Sequence, residues 1–296
     1  MANSEETIHL TLKDASAGSE DAEQTRVRPA PTTSGVYIPF AYSPSDDGTD
    51  ENLLILLHGL GDTHVPFTRL ARQLKLPQTA TLSLRAPDKI PFLYEEAYQW
   101  FTSFDGLGEL LERADPTPAL EILARVINHL IRECGWPPQR IHLFGFAQGG
   151  SLALQFAVDR WERGLLDRSV SSASGQGPGA VADSGALASE RSSLLTPLGS
   201  AVSVCGPLLS CPALSKPCPT PVLLAYRPPP AEPIVSPAAL ADLKRAFSSP
   251  TEAKMNAGGA GMPASRSDWE PIMRFWSERL SRRKISGLYE VMSRGV

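Results

Sequence analysis

The sequence lacks the features that would assign it to several common classes of protein. It has no apolar run near the roughly 20 residues that a membrane helix needs, and its first residues contain no apolar signal-peptide segment. A formal net charge of −4 gives no positive surplus for binding nucleic acid or an anionic membrane. The cysteines form no C-x-x-C pair, which favours free thiols in a reducing compartment; they are Cys134, Cys205, Cys211 and Cys218. We therefore expect a cytoplasmic protein with no transmembrane segment and no nucleic-acid partner.

Sequence patterns for metal and phosphate binding are also missing. No His, Cys, Asp or Glu residues recur at the spacing of a metal site. The glycine-rich segment at 58–62 reads HGLGD, and it has neither the lysine nor the length of a phosphate-binding loop. The sequence therefore predicts no metal and no cofactor.

Composition divides the chain into an arm and one domain that carries an insertion. Residues 1–33 are polar and rich in Ser, Glu and Ala, which predicts a disordered arm. Residues 34–296 are enough for a single large domain. Within it, residues 167–197 have few apolar side chains and many Ser, Gly and Ala residues, so they predict a flexible insertion.

Strand-like and helix-like apolar patterns alternate along the domain. Strands are predicted at 35–42 as an edge strand, and at 53–57, 80–87, 141–146, 201–206, 221–226 and 253–256. Helices are predicted from Phe67, Pro118 and Ser151, at 237–247, and from a capping box at 267–270. This alternation predicts an α/β fold, a mostly parallel sheet with helices on both faces.

The stretch at 140–150, RIHLFGFAQGG, is the one around which the other elements are organised. An apolar, β-prone run leads into a turn bounded by glycines, and helical spacing follows. Strand, sharp turn and helix form the context of a nucleophile elbow, in which G-x-S-x-G presents a serine above a sheet. Here Ala147 occupies the serine position. The motif therefore predicts the elbow geometry without its nucleophile.

Several segments together resemble the phospholipase/carboxylesterase family, the α/β hydrolases that include the acyl-protein thioesterases. LLILLHGLGDT at 53–63 resembles the oxyanion loop, and LFGFAQGGSLAL at 143–154 resembles the nucleophile elbow. WFTSFD at 100–105 is similar to the family's Trp-Phe-Asp segment. AEPIV at 231–235 resembles the stretch with the triad acid, and GMPA at 261–264 the segment with the triad histidine. The resemblance covers 52–160 and 199–280 and implies the α/β-hydrolase fold.

The family's reaction is ester or thioester hydrolysis, in which serine attacks, histidine carries the proton and an acid orients the histidine. The resemblance assigns the serine position to Ala147, the histidine position to Ala264 and the acid position to Glu232. In this fold the triad runs Ser, acid, His along the chain, but none of the five histidines follows His142. A triad in the family's order is therefore impossible in this sequence.

The resemblance also implies a binding site that does not depend on the missing side chains. It assigns the oxyanion donors to the backbone N–H groups of Leu60 and Gln148, with His58 shaping the oxyanion loop and Trp100 beside the pocket. Such a site binds a carbonyl or carboxylate without cleaving anything. The implied partners are a small acyl ester, a lipid or an S-acylated protein.

Two functions remain open from the sequence. One is a non-catalytic or very weak hydrolase that retains an acyl- or carbonyl-binding pocket. The other is an active carboxylic-ester or thioester hydrolase with a rearranged nucleophile and base, for instance His64 as the base with an unidentified serine. Ser151 fits a small residue packed between helix and sheet better than a replacement nucleophile, and Ser103 fits a pocket residue with no base beside it. An engineered Ser→Ala change would explain Ala147 but not the missing histidine.

Overall fold

A computed structural model describes residues 26–91, 95–109, 111, 114–173, 194–228, 235–256, 259 and 261–283. Its main sheet has seven strands: β1 (Phe40–Ser43), β2 (Asn52–Leu57), β3 (Thr79–Leu84), β6 (Ile141–Phe146), β7 (Ser200–Val204), β8 (Val222–Tyr226) and β9 (Pro250–Lys254). The strand order is β1-β3-β2-β6-β7-β8-β9, and every neighbouring pair is parallel except β1 with β3. A separate antiparallel pair joins β4 (Asp88–Lys89) to β5 (Tyr98–Gln99).

Helices cover both faces of this sheet: α1 (Thr33–Val36), α2 (His64–Leu74), α3 (Thr117–Arg132), α4 (Gln148–Ala173), α5 (Pro237–Ala246) and α6 (Arg266–Arg279). Alternate residues of the wholly buried β2 point into two different cores. Leu53, Ile55 and Leu57 pack with α3 and α4, while Leu54 and Leu56 pack with α2 and α6. Burial on both faces explains the continuous apolar run of this strand and confirms the predicted α/β architecture.

The amino-terminal boundary of the domain differs from the prediction. Arg28 donates its backbone N–H to a carboxylate oxygen of Asp50 at 2.9 Å, and its guanidinium lies 4.7 Å from the centre of the Trp136 ring. The packed structure therefore begins before residue 34, and the part of the predicted arm at 1–25 lies outside the described residues.

The edge strand predicted at 35–42 is shorter and starts later than expected. Residues 33–36 form α1 instead, because Thr32 caps that helix by accepting the N–H of Gly35. Gly35 also lies directly on the His129 ring, where a Cβ would be 2.2 Å from Nδ1. The His129 contact comes from α3, nearly a hundred residues away, and no local pattern signals it.

Two helix ends also differ from the prediction. The last helix is capped by Ser265, whose hydroxyl accepts the N–H of Asp268 at 3.2 Å, and not by a capping box at 267–270. Helix α4 continues through Ala173 into the range predicted as an insertion, of which 174–193 lies outside the described residues.

Among the described residues, no helix combines the length and the apolar composition needed to cross a membrane. The four cysteines are free thiols, as predicted.

Candidate functional site

Four residues with reactive or charged side chains, and the alanine at the nucleophile position, each directly follow one of five neighbouring strands at the same edge of the sheet. His58 comes after β2, Arg85 after β3, Ala147 after β6, Cys205 after β7 and Arg227 after β8. The carboxyl ends of parallel strands meet at a single edge, and open α/β sheets bind their ligands there. The candidate site is therefore this carboxyl edge.

The turn between β6 and α4 holds Ala147 in an unusual backbone conformation. Its φ is +47°, in the left-handed region that residues with a side chain rarely adopt. Its N–H donates to the Val204 carbonyl at 2.7 Å, which fixes the turn against β7. The following residue, Gln148, begins helix α4. Strain of this kind at the end of a central strand is typical of functional sites.

The glycines of the turn are required because the helix comes very close to the strands. A Cβ on Gly149 would be 2.4 Å from the Leu57 carbonyl oxygen, and one on Gly145 would be 2.2 Å from the Gly149 oxygen. A Cβ on Gly150 would be 2.4 Å from the Ser203 hydroxyl. No side chain fits at these distances, so the turn is a compact elbow whatever stands at its tip.

His58 is fully buried and has both ring nitrogens occupied. Nε2 accepts the N–H of Ala86 at 2.9 Å, so Nδ1 carries the proton and donates to the Gly59 carbonyl at 2.7 Å. Burial lowers the pKa of His58, which favours this neutral form. Trp100 donates its indole N–H to the His58 carbonyl at 2.8 Å, and the two rings lie 5.4 Å apart. His58 therefore shapes the loop and has no free nitrogen for proton transfer.

The side chain of Gln148 joins the elbow to the aromatic segment, a role that the sequence analysis missed. Its Oε1 accepts the N–H of Trp100 at 2.7 Å, and its Nε2 donates to the Phe101 carbonyl at 2.6 Å. The same nitrogen donates to the Ser103 hydroxyl at 2.9 Å. No sequence motif marked this amide; only its position after Ala147 could have suggested it.

The loop after β2 contains a backbone N–H group, that of Leu60, for which no acceptor is found among the described residues. Tyr98 pairs with this loop, because its carbonyl accepts the N–H of Gly61 at 2.9 Å. Within the described part of the chain, the N–H groups of Leu60 and Gln148 have no hydrogen-bond acceptor. Leu60 is 38% exposed, so its surroundings are open to solvent. The two N–H groups assigned by resemblance thus have no acceptor within the described residues.

Ala264 lies in a loop that reaches the same edge. A Cβ on Gly261 in this loop would be 3.8 Å from the ring of Phe146, and one on Gly59 would be 2.8 Å from the same ring. Phe146 therefore brings the Ala264 loop next to the elbow and the oxyanion loop. Ala264 is exposed, and its methyl group cannot carry a proton. Glu232, the third position assigned by resemblance, lies outside the described residues.

A buried ion pair supports this loop, and the sequence analysis did not identify it. Arg227 Nη2 lies 3.5 Å from Asp268 Oδ2, and the two side chains are 1% and 4% exposed. Arg227 also donates to the carbonyls of Asn256 and Met262, while Asp268 accepts the N–H groups of Asn256 and Ala264. Burial alone would raise the pKa of Asp268, but these N–H groups and the Arg227 charge hold the pKa below its ordinary value.

The alternative catalytic residues do not form a second triad among the described residues. Ser151 is 4% exposed and packs between helix and sheet, and Ser103 is held by the Gln148 amide. His64, the first residue of α2, is half-buried and makes no hydrogen bond through its buried Nδ1 to any described residue. No described serine or cysteine is hydrogen-bonded to His64.

A serine–histidine hydrogen bond does occur in the molecule, but at the opposite edge of the sheet. His142 Nδ1 lies 2.8 Å from the Ser200 hydroxyl, near the amino ends of β6 and β7, and both residues are fully buried. A substrate has no access to this pair. Burial, reinforced by the charge of Arg140, lowers the pKa of His142 to about 3.

The low pKa of His142 predicts a specific loss of stability in acid. The unfolded chain takes up the His142 proton near about pH 6.5, whereas the folded chain does so only near pH 3. Neutral His142 therefore stabilises the fold fully above the unfolded pKa, and this contribution is lost as the pH falls toward 3, by about 1.4 kcal/mol per pH unit. Urea unfolding of the native protein and of His142→Gln between these limits should show a shallower pH dependence for the variant. If the free energies of unfolding of the native protein and of His142→Gln change equally with pH, this expectation is wrong.

Comparison with known proteins places this geometry in a family. A sequence profile of the phospholipase/carboxylesterase family matches residues 43–190. An uncharacterized hydrolase of Mycosarcoma maydis is 34% identical over 247 residues, which are 82% of this chain and 82% of that protein. An uncharacterized hydrolase of Schizosaccharomyces pombe is 36% identical over 115 residues, which are 36% of this chain and 47% of that protein.

Solved structures share the fold at lower identity. Acyl-protein thioesterase 2 of Zea mays is 21% identical, with a TM-score of 0.57 over 83% of this chain and 100% of that one. Esterase PE8 is 20% identical, with a TM-score of 0.58 over 82% of this chain and 99% of that one. The fold is that of the α/β hydrolases, and the chain belongs to the phospholipase/carboxylesterase family.

Proposed function

We propose that this chain is a non-catalytic or very weak member of its family that binds an acyl or carbonyl group at the elbow. The observation that carries the proposal is Ala147, a residue with no nucleophilic atom in the strained turn that the family reserves for serine. The described backbone of the elbow and of the oxyanion loop supports the proposal, because binding there does not depend on the missing side chains.

The expected rate of ester hydrolysis depends on the missing serine and histidine. Loss of the serine or of the histidine from a serine hydrolase lowers kcat by about 10⁶, and the losses are not additive. Positions 147 and 264 both carry alanine, and no histidine follows His142 in the chain. Oxyanion donors and binding alone leave only about 10³- to 10⁴-fold acceleration over water. Such a rate is far below the turnover of an ordinary esterase.

Binding, in contrast, needs groups that are present. The free N–H groups of Leu60 and Gln148 can donate to a carbonyl oxygen, and the second of them lies at the positive end of helix α4. A small acyl ester, a lipid or an S-acylated protein is the corresponding partner class, consistent with a family named for carboxylesterases. A cytoplasmic site of action fits the free cysteines.

Two measurements on the native protein test the proposal. Hydrolysis of p-nitrophenyl butyrate should stay well below about 1 s⁻¹, and a fluorophosphonate probe should not label the chain. Turnover at an ordinary enzymatic rate would establish the alternative, a hydrolase with a rearranged nucleophile and base. The labelled residue would then identify the nucleophile.

Binding is tested by calorimetry with N-methyldecanamide, a neutral ligand whose carbonyl cannot be cleaved readily. Leu60→Pro removes the N–H donor, whereas the matched Leu60→Ala keeps it while also removing the side chain. Leu60→Pro should bind more weakly than Leu60→Ala by about 2- to 10-fold, the value of one hydrogen bond. Equal affinity of the two folded variants, or no binding to the native protein, would overturn the proposed binding site.

A further inference from the structure

Arg85 lies on the wall between the oxyanion loop and the aromatic segment. The residue after it, Ala86, donates its N–H to His58, so Arg85 is fixed beside the loop that follows β2. Its guanidinium carbon lies 4.2 Å from the centre of the Tyr98 ring. Tyr98 pairs through its backbone with Gly61 and Asp62 of the same loop. Arg85 is therefore next to the candidate pocket and held in place by an aromatic ring.

The charge of Arg85 has no anionic partner among the residues that the structure describes. No carboxylate there lies within 4.0 Å of its guanidinium, and its shielded Nε has no hydrogen-bond acceptor. Arg227 Nε likewise has no acceptor, but the Arg227 charge is compensated by Asp268, and two carbonyls accept from its Nη atoms. Leaving a shielded donor without an acceptor is costly, and more so for a charged group. An anionic ligand beside Arg85 would supply the counter-charge that the described residues do not.

His64 lies two residues after Asp62, which pairs with Tyr98, so a second unsatisfied polar atom belongs to the segment beside Arg85. Its Nδ1 is shielded from solvent and has no partner within the described ranges. Burial and the nearby Arg85 charge both lower the pKa of His64, so the imidazole is neutral and can donate one proton. His64 is also the first residue of α2, a helix of 11 residues whose amino-terminal end favours a negative ligand.

We propose that Arg85 and His64 form a subsite for a carboxylate group beside the oxyanion loop. A carboxylate would accept from the exposed part of the Arg85 guanidinium and from the His64 imidazole, and it would supply the counter-charge that Arg85 lacks among the described residues. Asp62 lies in the adjoining loop, so a singly charged carboxylate is favoured over a doubly charged phosphate. This subsite extends the proposed function, because it predicts that the bound acyl compound carries a second, anionic end.

Succinate, which has carboxylates but no long acyl chain, is a direct probe of the subsite. Imidazole resonances of the full chain are followed by NMR during titration, and His64→Gln identifies the His64 signal. Succinate should shift the His64 resonances saturably, while neutral succinamide should not. Arg85→Gln should weaken succinate binding at least tenfold. Arg72→Gln makes the same charge change at an exposed position of α2 and should leave binding unaltered.

The outcomes separate this proposal from the proposed function. Unchanged His64 resonances, equal binding to the Arg85→Gln and Arg72→Gln variants, or tighter binding of inorganic phosphate than of succinate would overturn the carboxylate subsite. Far-UV circular dichroism checks that Arg85→Gln is folded. If the native protein binds succinate but not N-methyldecanamide, the proposed function is overturned and the carboxylate subsite is not.

Discussion

Introducing serine at position 147 together with histidine at position 264 should raise the hydrolysis of p-nitrophenyl butyrate by about 10³-fold over the native protein. Ala147→Ser alone and Ala264→His alone should each leave the rate near background, because a nucleophile without its base, or a base without a nucleophile, is ineffective. The elbow already holds position 147 at φ +47°, so the serine would be presented at the tip of an existing turn. The rate constant kcat/KM of the three variants is the measurement.

A control variant tests whether the histidine must stand at position 264 or acts from anywhere in the same loop. Met262→His in the Ala147→Ser background adds an imidazole in the same loop, two residues earlier, and should give far less activity, since a misplacement of about 1 Å can cost 100-fold. Fluorophosphonate labelling should appear in the double variant Ala147→Ser, Ala264→His. If this variant is folded but neither reacts with the probe nor turns over substrate, position 264 is not the histidine position.

Local patterns in the sequence predicted the elements that build this site. The continuous apolar run of β2 predicted a strand buried on both faces, and Leu54 and Leu57 are indeed fully buried. The close-packed glycines around Ala147 predicted a tight turn, and Gly149 lies against the Leu57 carbonyl. Such features depend only on neighbouring residues, so the sequence carries them directly.

The features that the sequence did not reveal depend on distant contacts. Arg227 and Asp268 are 41 positions apart in the chain, and each alone resembles an ordinary surface residue. The Gln148 amide reaches residues 47 and 48 positions away. An edge strand was predicted at 35–42, but residues 33–36 form α1, and the His129 ring packs on Gly35 there. Tertiary contacts of this kind override local preference and leave no periodic signal.

Loss of the Asp268 charge should destabilise the protein by about 3–5 kcal/mol, because it leaves Arg227 buried and uncompensated. Asp268→Asn keeps the shape of the side chain but removes the negative charge 3.5 Å from Arg227. The N–H groups of Asn256 and Ala264 would also lose a charged acceptor, so the loop that carries Ala264 should loosen. Urea unfolding, followed by circular dichroism, measures the change in the free energy of unfolding.

An exposed ion pair in the same helix provides the matched control. Arg274 and Glu270 lie 2.7 Å apart, but their side chains are 69% and 60% exposed. Glu270→Gln should therefore cost less than about 1 kcal/mol, as is usual for surface pairs. The double variant Arg227→Met, Asp268→Leu removes both buried charges and should recover part of the loss, since no buried charge then lacks a partner. A cost for Asp268→Asn no larger than that for Glu270→Gln would show that the buried pair does not hold this loop in place.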